Sequence, residues 1–428
     1  MSNSLASNYS RKLMKAFIPA FEKQRVLSKT VNTQLFQGKF TPDSGASVDI
    51  KRPHQYLAQR TSGGDISGGT DNTIISGKAT ATVQNYITVP IPWTNKEEAL
   101  ELNQLEEILK PAAETAVIEL ETSLYDFMYK WSGLSWGTPG TAVDAWADIA
   151  SPMALMKSLG VPEGEHNYVM NPFTVIGLAG AQAGLSADPS RLVQTAWEKA
   201  QISQPFAGMR ALSSNSLGTR TQTTAADMTG ALSAIPTATY AAAKDSMTQT
   251  ISVTGLTASA TVKAGDIIEY TGTGADARSH IHLRTGKTLL GADGTPIKFR
   301  QTVTADVTLD GSGEGDLVVT PPAIIESDGQ YDTISAALTT NDVFDIIGTS
   351  ALEVQPSLFY HKDAFVISFV KLPKLYSTDT IAVTSDGIAI RCSKYSDGDK
   401  NTQKVRFDLL PAFGVMSPFL AGQGFGTS

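Results

Sequence analysis

The feature that most constrains the fold is one long run of helical periodicity in the first third of the chain. Asn95 and Glu98 have the residue types and spacing of a capping box. After them, apolar residues recur at steps of three and four, at Leu105, Ile108, Leu109, Ala112, Ala116, Leu120, Leu124, Phe127, Met128 and Trp131. At about 1.5 Å per residue the helix would span about 50 Å, with a bend or break near Lys110 because Pro111 follows. This pattern predicts a structural spine.

Before this helix, two strand-like patterns flank a long polar segment. Residues Ser47 to Arg52 alternate like a strand, and the apolar odd positions from Ala79 to Ile91 predict a second, longer strand. The roughly 25 residues between them contain GGDISGGTDNTIISG, and a loop of that length is uncommon inside a compact domain. We therefore predict an extended hairpin arm that projects from the body.

The N-terminal region is amphipathic and basic. Residues 8–29 predict a helix with Leu13, Phe17 and Phe21 on one face, or two short helices separated at Pro19. Residues 1–60 hold ten Lys or Arg and three acids, whereas residues 221–350 hold 15 acidic and 7 basic residues in a chain of net charge −8. A basic arm that meets an acidic partner and a merely solvated arm both fit this asymmetry. A general nucleic-acid binder would be more basic.

The pattern changes twice more along the chain. Helices at 146–159, 172–183 and 190–200 with a strand at 168–170 predict an α/β region, and a linker-like segment with three charges follows at 203–243. Short strands then predict a small barrel or sandwich, at 250–253, 267–271, 297–303, 316–320 and 343–347. Further strands are predicted at 364–370, 381–383, 388–393, 404–410 and 414–416. The chain is therefore predicted to be an α/β body interrupted by an all-β insertion at 222–349.

Composition excludes several classes of protein. Cys392 is the single cysteine, which excludes an internal disulfide framework and a cysteine-based zinc site. The longest strongly apolar stretch, 365–370, is far shorter than the roughly 20 residues that a membrane span needs. The first residues lack the apolar core of a signal peptide. We expect a soluble intracellular product.

Three glycine motifs mimic enzyme signatures but lack the context that the chemistry needs. Gly286-Lys287-Thr288 has Ile281 where a phosphate loop requires glycine. The GTGADA run at 272–277 does not open a helix that could meet a pyrophosphate. Ser135 stands in a GLSWG run that follows a helix, whereas a nucleophile elbow follows a strand. We predict no active site.

Histidines and carboxylates give no better candidate. His280 and His282 stand two apart without a completing ligand, so solvent-exposed histidines are the preferred interpretation. His54, His166 and His361 are isolated in the sequence. The pairs Glu97-Glu98 and Glu106-Glu107 fit a solvated helix face and cap, and Cys392 fits a small residue in a strand. We expect no metal and no cofactor.

Seven short motifs are spread along the chain: KRPHQY (51–56), GDISG (64–68), IISGKA (74–79), LNQLEEIL (102–109), RLVQTAWE (191–198), LFY (358–360) and VRFDLLP (405–411). With these motifs the chain resembles the major capsid (coat) proteins of short-tailed bacteriophages. The similarity runs through nearly the whole chain except 222–349, where only the layout and KAGD (263–266) match.

The resemblance implies an α+β fold, the tailed-phage capsid fold of the Hong Kong ninety-seven type with an inserted β-barrel. The domain boundaries that it implies are an N-terminal arm (1–45), an extended loop with flanking strands (46–92), a peripheral domain with the spine helix (93–150), an axial domain (151–221), the barrel (222–349), and a second axial part with C-terminal strands that return to the peripheral domain (350–428).

The resemblance also implies contact residues. Candidates for an acidic scaffolding protein are the cations of the arm: Arg11, Lys12, Lys15, Lys23 and Arg25. Candidates for intersubunit contact in the extended loop are His54, Arg60, Asp65 and Lys78. In relatives a charged loop of the insertion reaches a neighbouring capsomer, and here the corresponding residues 241–249 hold only Lys244 and Asp245.

The implied function is structural. Subunits would form pentamers and hexamers, assemble around a scaffolding protein in the bacterial cytoplasm, hold a portal protein at one vertex and enclose DNA that they contact non-specifically. No enzyme activity and no membrane contact are expected. Two alternatives stay open: an encapsulin-like cargo compartment, which would lack the barrel and the scaffold, and a β-rich binding module, which leaves the spine without a role.

Overall fold

A computed structural model describes residues 6–41, 45–67, 69, 71–94, 105–184, 202, 205–274, 277–376, 379–384, 386–397 and 402–427. They fall into two compact units. The first unit comprises Met1–Asp49, Thr80–Asp126 and Phe365–Val415, and the second comprises Ile50–Ala79, Phe127–Ala364 and Met416–Ser428. Among the described residues, no helix is both long and apolar enough to cross a membrane.

Helices and strands occur in both units. The helices are α1 (Ala6–Gln24), α2 (Leu27–Thr30), α3 (Leu105–Lys130), α4 (Ala147–Leu159), α5 (Pro172–Gly184) and α6 (Tyr240–Ala243), and a 3₁₀ turn covers Pro418–Leu420. The strands are β1 (Ser47–Lys51), β2 (Lys78–Val83), β3 (Ile87–Thr94), β4 (Leu134–Trp136), β5 (His166–Met170), β6 (Pro205–Phe206), β7 (Met209–Ser213), β8 (Arg220–Thr221), β9 (Thr229–Leu232), β10 (Gln249–Thr254), β11 (Thr261–Val262), β12 (Ile267–Tyr270), β13 (Arg300–Val303), β14 (Val307–Thr308), β15 (Gly315–Thr320), β16 (Val343–Ile347), β17 (Glu353–Val354), β18 (Ser357–His361), β19 (Phe365–Phe369), β20 (Thr380–Val383), β21 (Ala389–Asp397), β22 (Thr402–Leu409), β23 (Pro411–Val415) and β24 (Ala421–Gly424).

In the first unit, α1 packs against antiparallel strands. Leu13, Phe17 and Phe21 are fully buried, as the helical period predicts. The ring of Phe17 stacks on Phe407 of β22 with 4.2 Å between centroids. Pro19 lies inside α1 without ending it, so the predicted alternative of a separation at Pro19 is wrong. The helical region divides instead at residues 25–26, between α1 and α2. The apolar contacts before and after the proline offset the one backbone hydrogen bond that it removes.

The spine helix α3 is continuous through Pro111, so of the predicted bend or break near Lys110 the break is wrong and the bend stays a prediction. Its buried stripe contains Leu109, Leu120 and Leu124. Packing along this stripe outweighs the loss of one hydrogen bond at the proline. The predicted cap at Asn95 and Glu98 lies outside the described residues, as does the predicted helix at 190–200.

The strand predicted from Ala79 to Ile91 is in fact two strands in different sheets. Strand β2 pairs with β23 and β3 pairs with β22. Strands β22 and β23 belong to different sheets with only Leu410 between them, so the segment that pairs with both is interrupted at 84–86. Two four-stranded sheets therefore lie mainly in the first unit, in the orders β1-β2-β23-β19 and β20-β21-β22-β3. Strands β1 and β2 are neighbours, as the hairpin prediction required.

The second unit contains a six-stranded sheet and a closed barrel. The sheet has the order β4-β24-β18-β5-β7-β6, and the central strands β5 and β18 are buried at every position. The barrel has the order β10-β15-β13-β12-β16-β9 and encloses its own apolar core, which includes Ile251, Tyr270 and Phe344. This confirms the prediction of a mixed α+β chain with an all-β barrel.

Candidate functional site

A cationic surface covers one side of α1. Arg11, Lys12, Lys15 and Lys23 are exposed, and none of the four forms an ion pair with a described residue. They lie on the face of α1 opposite its buried apolar residues, so the helical period that buries Leu13, Phe17 and Phe21 leaves these cations exposed. We call these four residues the arm cations.

Arg25, the fifth predicted contact residue, differs from the arm cations because it is buried. Its guanidinium donates to Asp386 Oδ2 at 3.0 Å and to the main-chain oxygen of Ser28 at 3.0 Å. Only 3% of the residue is exposed. Arg25 therefore serves the fold of the first unit and is not accessible to a scaffolding protein in this conformation.

A residue that the sequence analysis missed, Glu121 of α3, holds the chain next to Arg25. Its fully buried carboxylate accepts hydrogen bonds from the backbone N–H groups of Val26, Leu27 and Ser28, and from the Ser28 hydroxyl. A carboxylate that accepts several N–H donors at the start of a helical turn is strongly stabilising. The signal was present in the sequence, because Glu121 falls on the apolar stripe beside Leu120 and Leu124.

Three of the four extended-loop candidates lie between β1 and β2, where the described residues form no helix or strand. Between β1 and β2, Arg60 and Asp65 are exposed and His54 is half-buried. Hydrogen bonds from the backbone and side chain of Ser67 lower the pKa of the Asp65 carboxyl. Lys78 is exposed and begins β2. The four candidates are thus spread along the loop from position 54 to position 78, and their contact with a neighbouring subunit stays a prediction.

The base of this loop meets the two insertion candidates. Arg52 is buried and donates to the main-chain oxygens of Lys78 (3.0 Å), Met416 and Asp245 (3.4 Å). Asp245 accepts the Lys78 backbone N–H at 3.1 Å and pairs with Lys244 at 2.7 Å. Burial lowers the pKa of Arg52 to about 10, and the hydrogen bond from Lys244 lowers that of Asp245. In the single chain, Lys244 and Asp245 thus contact each other and the loop base.

The expectation that His280 and His282 are solvent-exposed is wrong for His280, whereas His282 is partly exposed. His280 is 2% exposed rather than solvated, and burial lowers its pKa to about 3. His166 and His361 are not isolated in space, because they face each other across β5 and β18 with ring centroids 5.1 Å apart. Burial is the main cause that lowers the pKa of each. Tertiary pairing of distant strands creates this contact, and the local sequence does not encode it.

The other residues considered for chemistry, Ser135 and Cys392, lie in surroundings that do not favour catalysis. Ser135 lies in the short strand β4, which follows helix α3, so the strand–turn–helix of a nucleophile elbow is absent at that residue. Burial raises the pKa of the Cys392 thiol to about 12, which disfavours the reactive thiolate. Within the described residues, no group of three or more His, Cys, Asp or Glu side chains could hold a metal ion.

Comparison with known proteins assigns the chain to a family. The family model described as "P22 coat protein - gene protein 5" matches residues 3–426. The chain belongs to the P22 coat protein family. The curated "Major capsid protein" of Acyrthosiphon pisum secondary endosymbiont phage 1 is 42% identical over 432 residues, which cover all of both chains. The recognition made from the sequence is confirmed, and the chain is a major capsid protein that forms the shell of a phage.

Solved structures similar to this coat protein include phage capsids. A structure from Mycobacterium phage Che8 aligns with a TM-score of 0.46 and 12% identity, covering 94% of this chain and 90% of the other. The capsid structure of cyanophage P-SCSP1u aligns with a TM-score of 0.44 and 9% identity, covering 93% and 87% of the two chains.

Proposed function

We propose that this coat protein assembles around a scaffolding protein, in the cytoplasm of the host bacterium, into an icosahedral shell of pentamers and hexamers. The shell holds a portal protein at one vertex and encloses double-stranded DNA. Membership of the P22 coat protein family across residues 3–426 is the observation that carries this proposal. The ranges 1–45, 46–92, 93–150, 151–221, 222–349 and 350–428 are the domains that we propose for it.

The arm cations support a contact with an acidic scaffold segment. Four exposed positive charges on one helix face attract and orient an acidic partner. The opposite face of α1 is fixed by buried Leu13, Phe17 and Phe21, so the helix can present these charges without unfolding. Arg25 is left out of this surface because it is buried.

Charge reversal tests the scaffold contact. The variant in which Arg11, Lys12, Lys15 and Lys23 become Glu should bind the scaffolding protein at least tenfold more weakly, and salt should weaken the wild-type complex in the same way. The matched control reverses four exposed lysines elsewhere, namely Lys110, Lys157, Lys371 and Lys374. Sedimentation of coat and scaffold mixtures reads out both binding and shell formation. Equal loss of shells in the two variants would refute a specific role for the arm cations.

The extended loop is proposed to contact neighbouring subunits through His54, Arg60, Asp65 and Lys78. The exposure of its apolar residues Ile66 and Ile74, at 64% and 67%, supports such a contact, because a neighbour would cover them. Lys244 and Asp245 are proposed to reach a neighbouring capsomer from the same region. On assembly, the ion pair between Lys244 and Asp245 would then break, and each residue would pair with a charge on the neighbouring subunit.

We further propose that the chain has no catalytic activity of its own and grips DNA only weakly. The near-neutral body and the acidic segment 221–350 support this, since tight phosphate binding requires concentrated Lys and Arg. Affinity of assembled shells for duplex DNA should accordingly be low and independent of sequence. Measuring DNA retention in opened shells at 50 and 200 mM salt would test it.

A further inference from the structure

The side chain of Gln330, in the second unit, holds both limbs of the extended loop at once. Its Nε2 donates to the main-chain oxygen of Gln55 at 2.5 Å and to that of Thr73 at 3.1 Å. Its Oε1 accepts the backbone N–H of Thr73 at 2.9 Å. One amide therefore makes three hydrogen bonds to two loop positions that are 18 residues apart in the sequence. Gln330 itself is 3% exposed.

A neighbouring tyrosine and the loop itself reinforce this contact. The Tyr331 hydroxyl donates to the Thr73 oxygen at 3.2 Å, and the Tyr331 ring stacks on Tyr240 with 4.0 Å between centroids. Inside the loop, the Asn72 side chain donates to the oxygen of Leu57 and accepts its N–H, at 2.9 and 2.8 Å. The two limbs are thus tied to each other immediately beyond the point where Gln330 holds them.

The segment that carries Gln330 is closed by its own hydrogen bonds. Glu326 N–H donates to Asp332 Oδ1 at 2.8 Å, and Thr333 N–H donates to the oxygen of Ile324 at 2.9 Å. Glu326 also accepts the backbone N–H of Tyr240 at 2.8 Å. The Gln330 amide, held on this closed turn, can therefore fix the position of the extended loop, whose described residues form no β-sheet hydrogen bonds between its two limbs.

From this geometry we propose that Gln330 is a positioning residue for assembly. The inserted segment holds the extended loop in cis, in the unassembled subunit, before any neighbour is present. A loop of about 25 residues loses much conformational entropy when it docks on a neighbour. Because Gln330 already restricts both limbs in the free subunit, less entropy remains to be lost at docking. The proposal rests on the proposed function only for its consequence, a faster assembly; the anchoring itself is a property of the monomer.

The test uses full-length subunits with Gln330→Ala and Gln330→Glu. Both should lower the thermal unfolding midpoint, because buried groups lose their partners, and both should raise by about tenfold the hydrogen-exchange rate of loop amides such as Thr73 and the rate of tryptic cleavage at Arg60. The increase should be confined to the loop, whereas amides of the barrel strands should keep their protection. Gln330→Glu keeps an acceptor for the Thr73 N–H but places oxygen against two carbonyl oxygens, so it should be no better than alanine. Ser327→Ala, on the same turn, is the control, because the Ser327 hydroxyl donates to Asp328.

Assembly is then measured with the scaffolding protein by light scattering. The Gln330 variants should form shells several-fold more slowly, with more aberrant particles, whereas Ser327→Ala should match the wild type. Unchanged exchange and cleavage in the Gln330 variants would overturn the proposal, as would faster exchange with wild-type assembly kinetics. Failure of the wild type to form shells would instead sink the proposed function, and the monomer exchange data would still decide the anchoring. If Gln330→Ala fails to fold, Tyr331→Phe removes one bond to Thr73 and should raise loop exchange by a smaller factor.

Discussion

Replacing Glu121 with alanine should detach the N-terminal arm from the spine helix. The change removes the acceptor for three backbone N–H groups and one hydroxyl, at Val26, Leu27 and Ser28. The hydrogen bonds from Leu27 and Ser28 are buried, so water cannot replace the carboxylate unless the turn opens. We therefore expect local opening at residues 26–28 together with a loss of stability in the first unit.

The magnitude follows from the donors that lose their partner. Each buried donor left unsatisfied costs about 1–3 kcal/mol, and two backbone donors are fully buried here. The Ser28 hydroxyl can rotate to another acceptor and is left out of the sum. The alanine variant no longer buries the Glu121 carboxylate, and the desolvation cost that is avoided offsets part of the loss. A net loss of about 3 kcal/mol is the expectation, which is a large fraction of the 5–15 kcal/mol typical of a folded protein.

Urea unfolding of the monomeric subunit and hydrogen exchange at Leu27 and Ser28 measure the two expected effects. Glu119→Ala is the matched control, because Glu119 lies on the same helix but is exposed. The control should unfold within about 0.5 kcal/mol of the wild type. A Glu121→Ala protein whose unfolding midpoint and amide protection match those of Glu119→Ala would refute the reasoning.

Two further predictions concern the second unit. Asp266→Asn leaves Arg220, which is paired at 3.0 Å and buried, without a counter-charge, so it should cost about 3–5 kcal/mol in urea unfolding; a comparable effect from Asp306→Asn, at a partly exposed pair, would contradict this interpretation. Because burial lowers the folded-state pKa of His280 from 6.5 to about 3, the unfolded state binds the proton first. Wild-type stability should therefore fall as the pH drops below about 6.5, and His280→Gln should flatten that fall; parallel profiles of midpoint against pH would show that His280 does not contribute.

The barrel illustrates what the sequence could and could not predict. Strands such as β16, Val343–Ile347, were predicted at their observed bounds because alternation and flanking turns are local signals. The order of strands around the barrel has no such signal, since β10 pairs with β15 across more than 60 residues. The same limit explains the errors at His280 and at the corner between β2 and β3, where distant partners decide burial and direction.

The candidate contact residues also divide into those that the sequence predicts and those that it does not. The arm cations follow from helical period alone, and four of the five predicted cations are exposed. Arg25 departs from that pattern because α1 has already ended and a distant carboxylate, Asp386, captures it. Gln330 could not be found from the sequence at all, because nothing near it indicates that its partners are Gln55 and Thr73.

The pairing of β8 with β17 brings the two ends of the barrel-bearing segment side by side. Thr221 lies opposite Glu353, and Arg220 lies opposite Val354. Although more than a hundred residues lie between β8 and β17, the two strands pair as closely as the strands of a short hairpin. Since the entropy of closing a loop rises only slowly with its length, this junction can accept modules of different size without moving its own two strands. The barrel-bearing segment therefore enters and leaves the rest of the chain at one place, the two-stranded pairing of β8 with β17.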